Sequence, residues 1–245
     1  MSISLVIPIK QLANAKRRLS TMLSADQRCE LFKAMVEDVL EVATSCDRIT
    51  EVIVVTKDPA VSALAYQYSA IVMPEPDVSG ELESGLIAAV TQTAAYLAKE
   101  QVKTMVFLPG DVPLITVEEL EVVLDGFGLS DKAEMMIVPA NDLGGSNCLV
   151  CSPPDCMSFG FGEDSFRRHL RLAKEKQIEP MVAKLPGIGL DIDTPADLIE
   201  LAHRIKKYKL DTHTSRYLAD SAVAKSIDRS AKSIDRQAKK ENEAV

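Results

Sequence analysis

Short apolar runs alternate along the chain with longer segments in which apolar residues recur at helical spacing. Runs rich in valine and isoleucine predict buried strands over residues 3–9, 51–56, 70–73, 105–108, 135–139, 147–151 and 180–185. Helical spacing predicts helices over residues 25–42, 61–68, 82–98, 117–124, 164–176 and 195–207. The alternation over the first 125 residues predicts an α/β fold with a mostly parallel, twisted sheet and helices on both faces. Two late strands without a long helix between them predict an antiparallel addition to that sheet.

Residues at the predicted helix starts support these boundaries. Ser24 or Asp26 can cap the first helix, and Pro59 suits the first turn of the second. Thr116, with Glu119 three residues later, has the spacing of a capping box, in which each side chain bonds the other residue's backbone. The helices therefore carry their own start signals.

Three aspartates follow predicted strands, at the edge where open α/β sheets bind ligands. Asp111 lies in Leu-Pro-Gly-Asp-Val-Pro-Leu, and Asp191 and Asp193 lie two apart in Leu-Asp-Ile-Asp-Thr-Pro. In an extended segment, residues two apart point the same way. Converging carboxylates repel one another unless a cation lies among them, and Mg²⁺ is the usual one. We predict a metal site at these aspartates; the simpler alternative is that Asp193 caps the helix beginning near Pro195.

The loop after the first strand holds the strongest basic cluster in the chain. Lys10, Lys16 and Arg18 lie where the phosphates of a bound nucleotide would be, although the loop has neither a Walker A nor a Gly-x-Gly-x-x-Gly pattern. These three residues are candidates for binding a triphosphate. The alternative is a solvated helix start.

Two glycine-containing loops are candidate anion sites. Gly144 and Gly145 follow the fifth strand, where small residues let backbone N–H groups approach an anion, although a plain hairpin turn explains them equally well. Gly162 and Ser165 precede or begin a helix, and helix N-termini attract phosphate.

The remaining polar motifs do not indicate a catalytic triad. His169 and His203 lie within helical patterns and are interpreted as surface or packing residues. No Ser-His-Asp order, His-Glu-x-x-His or Gly-x-Ser-x-Gly pattern is present. Cys148 and Cys151 form a Cys-x-x-Cys, but on a strand they would point to opposite faces, which disfavours a zinc or redox site.

Charge and composition exclude several protein classes. The chain has 36 acidic and 28 basic residues and a net charge of −8, which disfavours nucleic-acid binding. No window is apolar and long enough for a transmembrane helix, so no membrane partner is expected. Five scattered cysteines do not resemble a disulfide framework, and we predict a cytoplasmic protein.

Composition also predicts a domain boundary. We assign residues 1–208 to one domain and residues 209–245 to a charged, partly helical or disordered tail. Ala-Lys-Ser-Ile-Asp-Arg occurs twice in this tail with a period of seven, too few copies to establish a coiled coil. The tail is either a solvated segment or a helix that docks on a partner or on a second subunit, which would make the protein a homo-oligomer.

Several motifs together resemble one enzyme family. In chain order they are Ile-Pro-Ile-Lys, Ala-Lys-Arg-Arg-Leu, Gly-Asp-Val-Pro-Leu, Gly-Gly-Ser-Asn, Phe-Gly-x-x-Ser-Phe and Leu-Asp-Ile-Asp-Thr-Pro-x-Asp-Leu. This combination, over about residues 3–205, resembles the CofC/FbiD guanylyltransferases of coenzyme F420 biosynthesis. The resemblance implies a GT-A-like nucleotidyltransferase fold.

The resemblance also implies a reaction. Members of the family transfer GMP from GTP to 2-phospho-L-lactate, phosphoenolpyruvate or 3-phospho-D-glycerate, release pyrophosphate, and pass the product to a transferase acting on the F420 precursor. By this likeness Asp111, Asp191 and Asp193 hold Mg²⁺, and Lys16 and Arg18 face the nucleotide phosphates. The phosphate of the acid would be held by Ser146, Gly162 and Ser165.

Two departures from the family pattern lie on the binding side. Glu83 stands where asparagine is common, and Ser146 stands where threonine is common. The choice of acid and of GTP over ATP therefore stays open. So do two other functions: a nucleotidyltransferase for another acceptor, such as a molybdopterin or a sugar phosphate, and a non-catalytic nucleotide-binding scaffold.

Overall fold

A single mixed sheet organises the chain in the computed structural model, which describes residues 2–77, 85–130, 132–220 and 222–230. The strands are β1 (Ile3–Pro8), β2 (Glu51–Val55), β3 (Ile71–Met73), β4 (Thr104–Phe107), β5 (Glu134–Pro139), β6 (Ser146–Ser152) and β7 (Met181–Val182). The α-helices are α1 (Ala25–Ser45), α2 (Pro59–Gln67), α3 (Gly85–Lys99), α4 (Val117–Leu124), α5 (Ser165–Glu175), α6 (Pro195–Tyr208) and α7 (His213–Leu218). A 3₁₀ turn covers Arg17–Thr21, and residues 222–230 are also helical.

The sheet order is β3-β2-β1-β4-β6-β5-β7. Strand β1 pairs in parallel with β2 and β4, β2 pairs in parallel with β3, and β5 with β7. Strand β6 alone runs antiparallel to its neighbours β4 and β5. The short β5–β6 connection permits only this reversal, because a parallel pair needs a crossover of a dozen or more residues. The predicted α/β fold and its antiparallel addition are confirmed.

Both faces of the sheet are buried under helices. Leu5 and Ile7 belong to the core that α1, α2 and α4 cover, whereas Val6 faces the core under α3 and α5. Cys148 and Cys151 divide in the same way between the two faces, as strand geometry predicts. Both thiols are free, so the arrangement gives no support to a Cys-x-x-Cys site.

Three predicted elements differ in the structure. The last strand shortens to Met181–Val182, whose side chains are both exposed at the sheet edge. Helix α3 is described from Gly85, so residues 82–84 of its predicted span lie outside the described residues. Thr116 does cap α4, but the Glu119 carboxylate does not complete a capping box; it accepts hydrogen bonds from the N–H groups of residues 187 and 188, at 2.7 and 2.8 Å.

The chain continues on the domain surface beyond residue 208. Apolar side chains of this segment, Leu218, Val223 and Ile227, are buried in the same cluster as Leu31 of α1 and Leu201 of α6. The division at residue 208 remains a prediction, but the described part of the tail contributes to the domain core. Within the residues that the structure covers, no helix is both long and apolar enough to cross a membrane.

Candidate functional site

The predicted site residues come from four segments that end at one edge of the sheet. The β1 loop supplies Lys16, the segment after β4 supplies Asp111, and the approach to α6 supplies Asp191 and Asp193. Strand β6 begins at the same edge, because it runs opposite to β4. A backbone hydrogen bond from Ile192 N to Asp111 O, at 3.1 Å, joins two of these segments.

Lys16 lies at the centre of this group. Its backbone is left-handed (φ 53°), which turns the chain into the 3₁₀ turn that follows. Its buried ammonium donates to Asp111 Oδ2 and, at 2.7 Å, to Asp193 Oδ1, and it lies 5.5 Å from the centre of the Phe32 ring. Burial opposes the charged form, but attraction to Asp111 and then Asp193 outweighs it and raises the pKa of Lys16. The lysine is therefore a permanent cation between two carboxylates.

The Asp111 and Asp191 carboxylates are each held in a different way. Asp111 uses one oxygen for Lys16, while its Oδ1 is buried without a hydrogen-bond partner among the described residues. Asp191 Oδ1 accepts from Asn147 Nδ2 at 3.0 Å, and the same amide donates to the carbonyl of Ile188 at 2.9 Å. Burial raises the pKa of Asp191; the Asn147 hydrogen bond opposes this, and the nearby negative charges of Asp111 and Asp193 add to it.

Asp193 does not cap α6. The cap is Thr194, whose side chain forms a capping box with Asp197, and the backbone N–H of Asp193 itself donates to Asp197 Oδ2 at 3.1 Å. The Asp193 side chain is free to face Lys16 and, at 4.0 Å, the guanidinium of Arg18. Arg18 is mostly exposed and lies at the rim.

A cavity of about 540 Å³ opens beside Lys16 and Asp111. Lys10, Lys57 and Glu75 line it, and Lys57 is ion-paired with Asp77. Glu75 Oε1 and Lys10 Nζ lie 3.1 and 3.2 Å from the point where a Cβ on residue 85 would stand, so the glycine there leaves room for both charged groups. Glu83 lies outside the described residues.

The predicted acid-binding residues form a second, buried cluster. Ser165 Oγ donates to Ser146 Oγ at 3.2 Å, and Ser146 Oγ lies 2.9 Å from His169 Nδ1. The backbone N–H of Gly160 donates to His169 Nε2 at 3.0 Å. Gly162 has φ 109° with open space at its Cβ position, and its carbonyl accepts from Ser165 N.

His169 is therefore a buried, hydrogen-bonded residue and not a surface one. Burial, partly offset by the Ser165 carbonyl, lowers its pKa to about 4 and keeps the ring neutral. Three candidates escaped the sequence analysis: His169, Asn147 and Glu75 in the cavity wall. The sequence feature that could have identified Asn147 is its place as a polar residue near the start of an otherwise apolar strand.

The two clusters adjoin each other through β6. Ser146 belongs to the hydroxyl cluster, and the next residue, Asn147, holds Asp191. The structure thus brings together Lys16, Asp111, Asp191 and Asp193, with Arg18 at the rim. Lys10 lines the cavity. Gly162 and Ser165 belong to the hydroxyl cluster around Ser146.

A different group of side chains has the spacing of metal ligands. Within the described ranges, Asp38, Glu41 and His213 each place a ligand atom within 4.8 Å of the others, where α7 meets α1. Asp111, Asp191 and Asp193 do not form such a group among the described residues, and the Lys16 ammonium contacts both Asp111 and Asp193. The predicted metal role of these aspartates therefore stays a prediction.

Curated relatives resemble the chain over most of its length. Phosphoenolpyruvate guanylyltransferase of Conexibacter woesei is 33% identical over 84% of this chain and 89% of its own. 3-Phospho-D-glycerate guanylyltransferase of Colwellia psychrerythraea is 33% identical over 82% and 92%, respectively. 2-Phospho-L-lactate guanylyltransferase of Methanobrevibacter ruminantium is 28% identical over 89% and 91%.

Solved structures share the fold. A protein of Desulfovibrio desulfuricans G20 assigned to the nucleotide-diphospho-sugar transferases has a TM-score of 0.68 at 16% identity, over 97% of this chain and 98% of that one. A cytidylyltransferase of Leptospira borgpetersenii has a TM-score of 0.56 at 13% identity, over 95% and 96%. The expected nucleotidyltransferase-like fold is confirmed. The family "Guanylyl transferase CofC like" matches residues 3–239, and the chain belongs to this family.

Proposed function

We propose that this protein transfers GMP from GTP to a phosphorylated three-carbon acid and releases pyrophosphate. The observation that carries the proposal is the Lys16 ammonium held between Asp111 and Asp193 at the wall of a cavity, with the Ser146–Ser165 hydroxyl pair next to Asn147, which holds Asp191. Such an arrangement suits two anionic substrates that must meet. The nucleotide would occupy the cavity, and the phosphate of the acid would face the hydroxyls.

The reaction needs no general base. The phosphate of the acid is already an anion near neutral pH and can attack the α-phosphorus of GTP, whose bond to the pyrophosphate oxygen then breaks. Catalysis consists of aligning the two groups and stabilising the charge that develops. Lys16, whose pKa is raised, supplies a permanent positive charge for that purpose. Lys10 and Arg18 would hold the outer phosphates.

The aspartates fit a divalent cation. The Asp111 Oδ1 atom is buried without a partner among the described residues, and the three carboxylates outnumber the one buried cation beside them. Asp111, Asp191 and Asp193 would hold Mg²⁺, which neutralises phosphate charge when bound. Glucosyl-3-phosphoglycerate synthase of Mycobacterium tuberculosis, which shares the fold with a TM-score of 0.53, was solved with Mn²⁺.

The cavity offers a reason to prefer guanine. Guanine presents two adjacent donors, N1–H and the exocyclic amine, and a carboxylate can accept both. Glu75 is a half-buried carboxylate in the wall of this cavity and could accept from both donors. Adenine offers a ring acceptor where guanine has N1–H, so the same carboxylate would repel it.

The acid and the pathway belong to the same proposal. The relatives named above act on three different acids, all with one phosphate and one carboxylate. The product would be handed to a transferase acting on the coenzyme F420 precursor. Five free cysteines agree with a cytoplasmic location.

The test is pyrophosphate release from GTP and Mg²⁺ with each acid in turn: 2-phospho-L-lactate, phosphoenolpyruvate and 3-phospho-D-glycerate. A second assay supplies the F420 precursor and its transferase, so that a labile product is consumed as it forms. We expect release with one acid and much less with the other two. If folded protein binds GTP and releases nothing with any acid, the proposal fails. A parallel screen with molybdopterin and sugar phosphates then separates another acceptor from a scaffold.

A further inference from the structure

The buried His169 ring has a defined hydrogen-bonding direction. Its Nε2 atom receives the backbone N–H of Gly160 at 3.0 Å. A backbone N–H can only donate, so Nε2 must be the unprotonated nitrogen. In a neutral imidazole the proton then lies on Nδ1, which is 2.9 Å from Ser146 Oγ. The protein backbone thus selects the tautomer.

The tautomer in turn orients the Ser146 hydroxyl. Ser146 Oγ accepts from His169 Nδ1–H and also from the Ser165 hydroxyl, at 3.2 Å. A serine oxygen has two acceptor lone pairs, and with the Ser165 hydroxyl as donor both are occupied. The Ser146 hydroxyl hydrogen is left to donate, and a ligand that meets it must offer an acceptor. A phosphate oxygen is such an acceptor.

We propose that His169 is a positioning residue for the acid substrate: through Ser146 Oγ it turns the Ser146 hydroxyl hydrogen toward a phosphate oxygen. This inference rests on the proposed function and deepens it. His169 itself touches no substrate. It acts by removing the alternative in which the Ser146 hydrogen points at the imidazole ring.

Two features keep the arrangement intact during turnover. Burial lowers the pKa of His169 to about 4, so the ring does not gain a second proton near neutral pH. The ring also packs edge-on against Phe161, with the ring centres 4.9 Å apart, which limits its rotation.

Two substitutions separate positioning from structure. In His169→Asn the side-chain amide nitrogen can replace Nδ1 as the donor to Ser146, while the bond to Gly160 is lost. In His169→Gln the carbonyl oxygen can replace Nε2 as the acceptor for Gly160, while the donor to Ser146 is lost. Each variant loses one hydrogen bond, so a purely structural role predicts similar kinetics for both.

We expect H169Q to raise the KM for the acid about tenfold, the effect of one hydrogen bond, and to leave the KM for GTP within about twofold. H169N should keep an acid KM within about threefold of the wild type. In an S146A background H169Q should not raise the KM for the acid further, because the hydroxyl that His169 orients is absent. His203→Gln, at an exposed histidine of α6, is the matched control.

Equal effects of H169N and H169Q on the KM for the acid would overturn the positioning role. So would a double variant of H169Q and S146A whose acid KM rises by the product of the two single effects. The ¹⁵N NMR spectrum of the imidazole at pH 7 measures the tautomer of His169 independently of activity. We expect the Nδ1-protonated tautomer, and an Nε2-protonated ring contradicts the inference. If the wild type turned over none of the acids, the proposed function would fail and the acid-positioning role with it. An active wild type with unselective variants would overturn the inference alone.

Discussion

At the scale of single residues, the site is a balance of buried charge. Lys16 bridges Asp111 and Asp193, and Asp191 is held separately by Asn147. A buried charge is stable only when opposite charge or hydrogen bonds surround it. Three carboxylates around one lysine leave excess negative charge, which suits a cation brought with the nucleotide. The chemistry of the site therefore depends on which charges are present more than on any one nucleophile.

Replacing Asp111 by asparagine tests this balance. The amide keeps the shape of the side chain but lacks the charge, so we expect the turnover number to fall at least about a hundredfold, as for loss of one electrostatic contact to the transition state. The melting temperature should change little, because Lys16 keeps Asp193 as its partner. Asp47→Asn, at an exposed position, is the control for a lost surface charge. A near-normal rate would exclude Asp111 from the proposed metal site.

Base selection can be tested at Glu75. Inosine triphosphate lacks the exocyclic amine of guanine, so the wild type should prefer GTP over it by about tenfold in kcat/KM, the value of one good hydrogen bond to a charged group. In Glu75→Gln this preference should shrink to about twofold, and the discrimination against ATP should weaken. The measurement is a competition between the nucleotides in the pyrophosphate assay. An unchanged preference would place base recognition elsewhere.

The His169 ring also predicts how stability depends on pH. Its pKa is lowered from 6.5 to about 4 in the folded protein. In the unfolded chain the ring gains a proton below about pH 6.5, whereas the folded ring does not until about pH 4. The contribution to stability is therefore complete above pH 6.5 and is lost as the pH falls through this window.

The test is urea unfolding of wild type and H169N at pH 7.5 and pH 5. We expect the wild type to lose more free energy of unfolding between these conditions than the variant, since the asparagine does not titrate. An equal loss in both proteins would mean that the folded ring titrates normally.

At the scale of elements, two carboxylates within helices accept hydrogen bonds from backbone N–H groups far away in the sequence. Glu119 has the spacing of a capping residue, yet it accepts from the N–H groups of Gly187 and Ile188, 68 and 69 residues away. Asp38, in the middle of α1, accepts from the N–H groups of His213 and Thr214 at 2.6 and 3.0 Å. These N–H groups open α7, so the carboxylate joins two helices that the sequence treats as separate.

Asp38→Ala should therefore loosen α7. It leaves two N–H groups of the α7 start without their acceptor, and loss of such a cap costs about 1–2 kcal/mol of stability. Chemical denaturation measures this loss, and amide hydrogen exchange should increase first in α7. The control is Asp47→Ala, at an exposed position just after α1. Uniform exchange across the domain would contradict a local role for Asp38.

At the scale of the whole molecule, the core does not end where the composition changes. The described segment after residue 208 covers α1 and α6 with Leu218, Val223 and Ile227. Its charged positions face outward and dominate the composition, while a few apolar positions do the packing. Composition averages over both sets and thus suggests a detached tail.

A chain that ends at Tyr208 should lose several kcal/mol of stability, because burying each large apolar side chain contributes about 1.5–3 kcal/mol. A second chain that ends at Ser230 keeps these side chains, and the difference between the two truncations belongs to residues 209–230 alone. Thermal and urea unfolding measure it. If both truncated chains were equally stable, the segment would add nothing to the core.

The sequence by itself determined the features that depend on neighbours a few residues apart. Strand and helix order, the Thr116 cap of α4 and the opposite faces of Cys148 and Cys151 all follow from local spacing. The aspartates and the basic loop could be selected as site residues because they follow strands. The family motifs named the reaction class.

Tertiary structure decided everything that joins distant parts of the chain. Lys16 meets Asp111 and Asp193 across 95 and 177 residues, and no local pattern records that distance. The same holds for Asn147 with Asp191, for Glu119 with the 187–188 backbone and for α7 with α1. His169 shows the limit most clearly. Its helical position predicted a surface or packing residue, whereas the role proposed for it depends on a backbone N–H and a serine hydroxyl that only the folded chain brings to it.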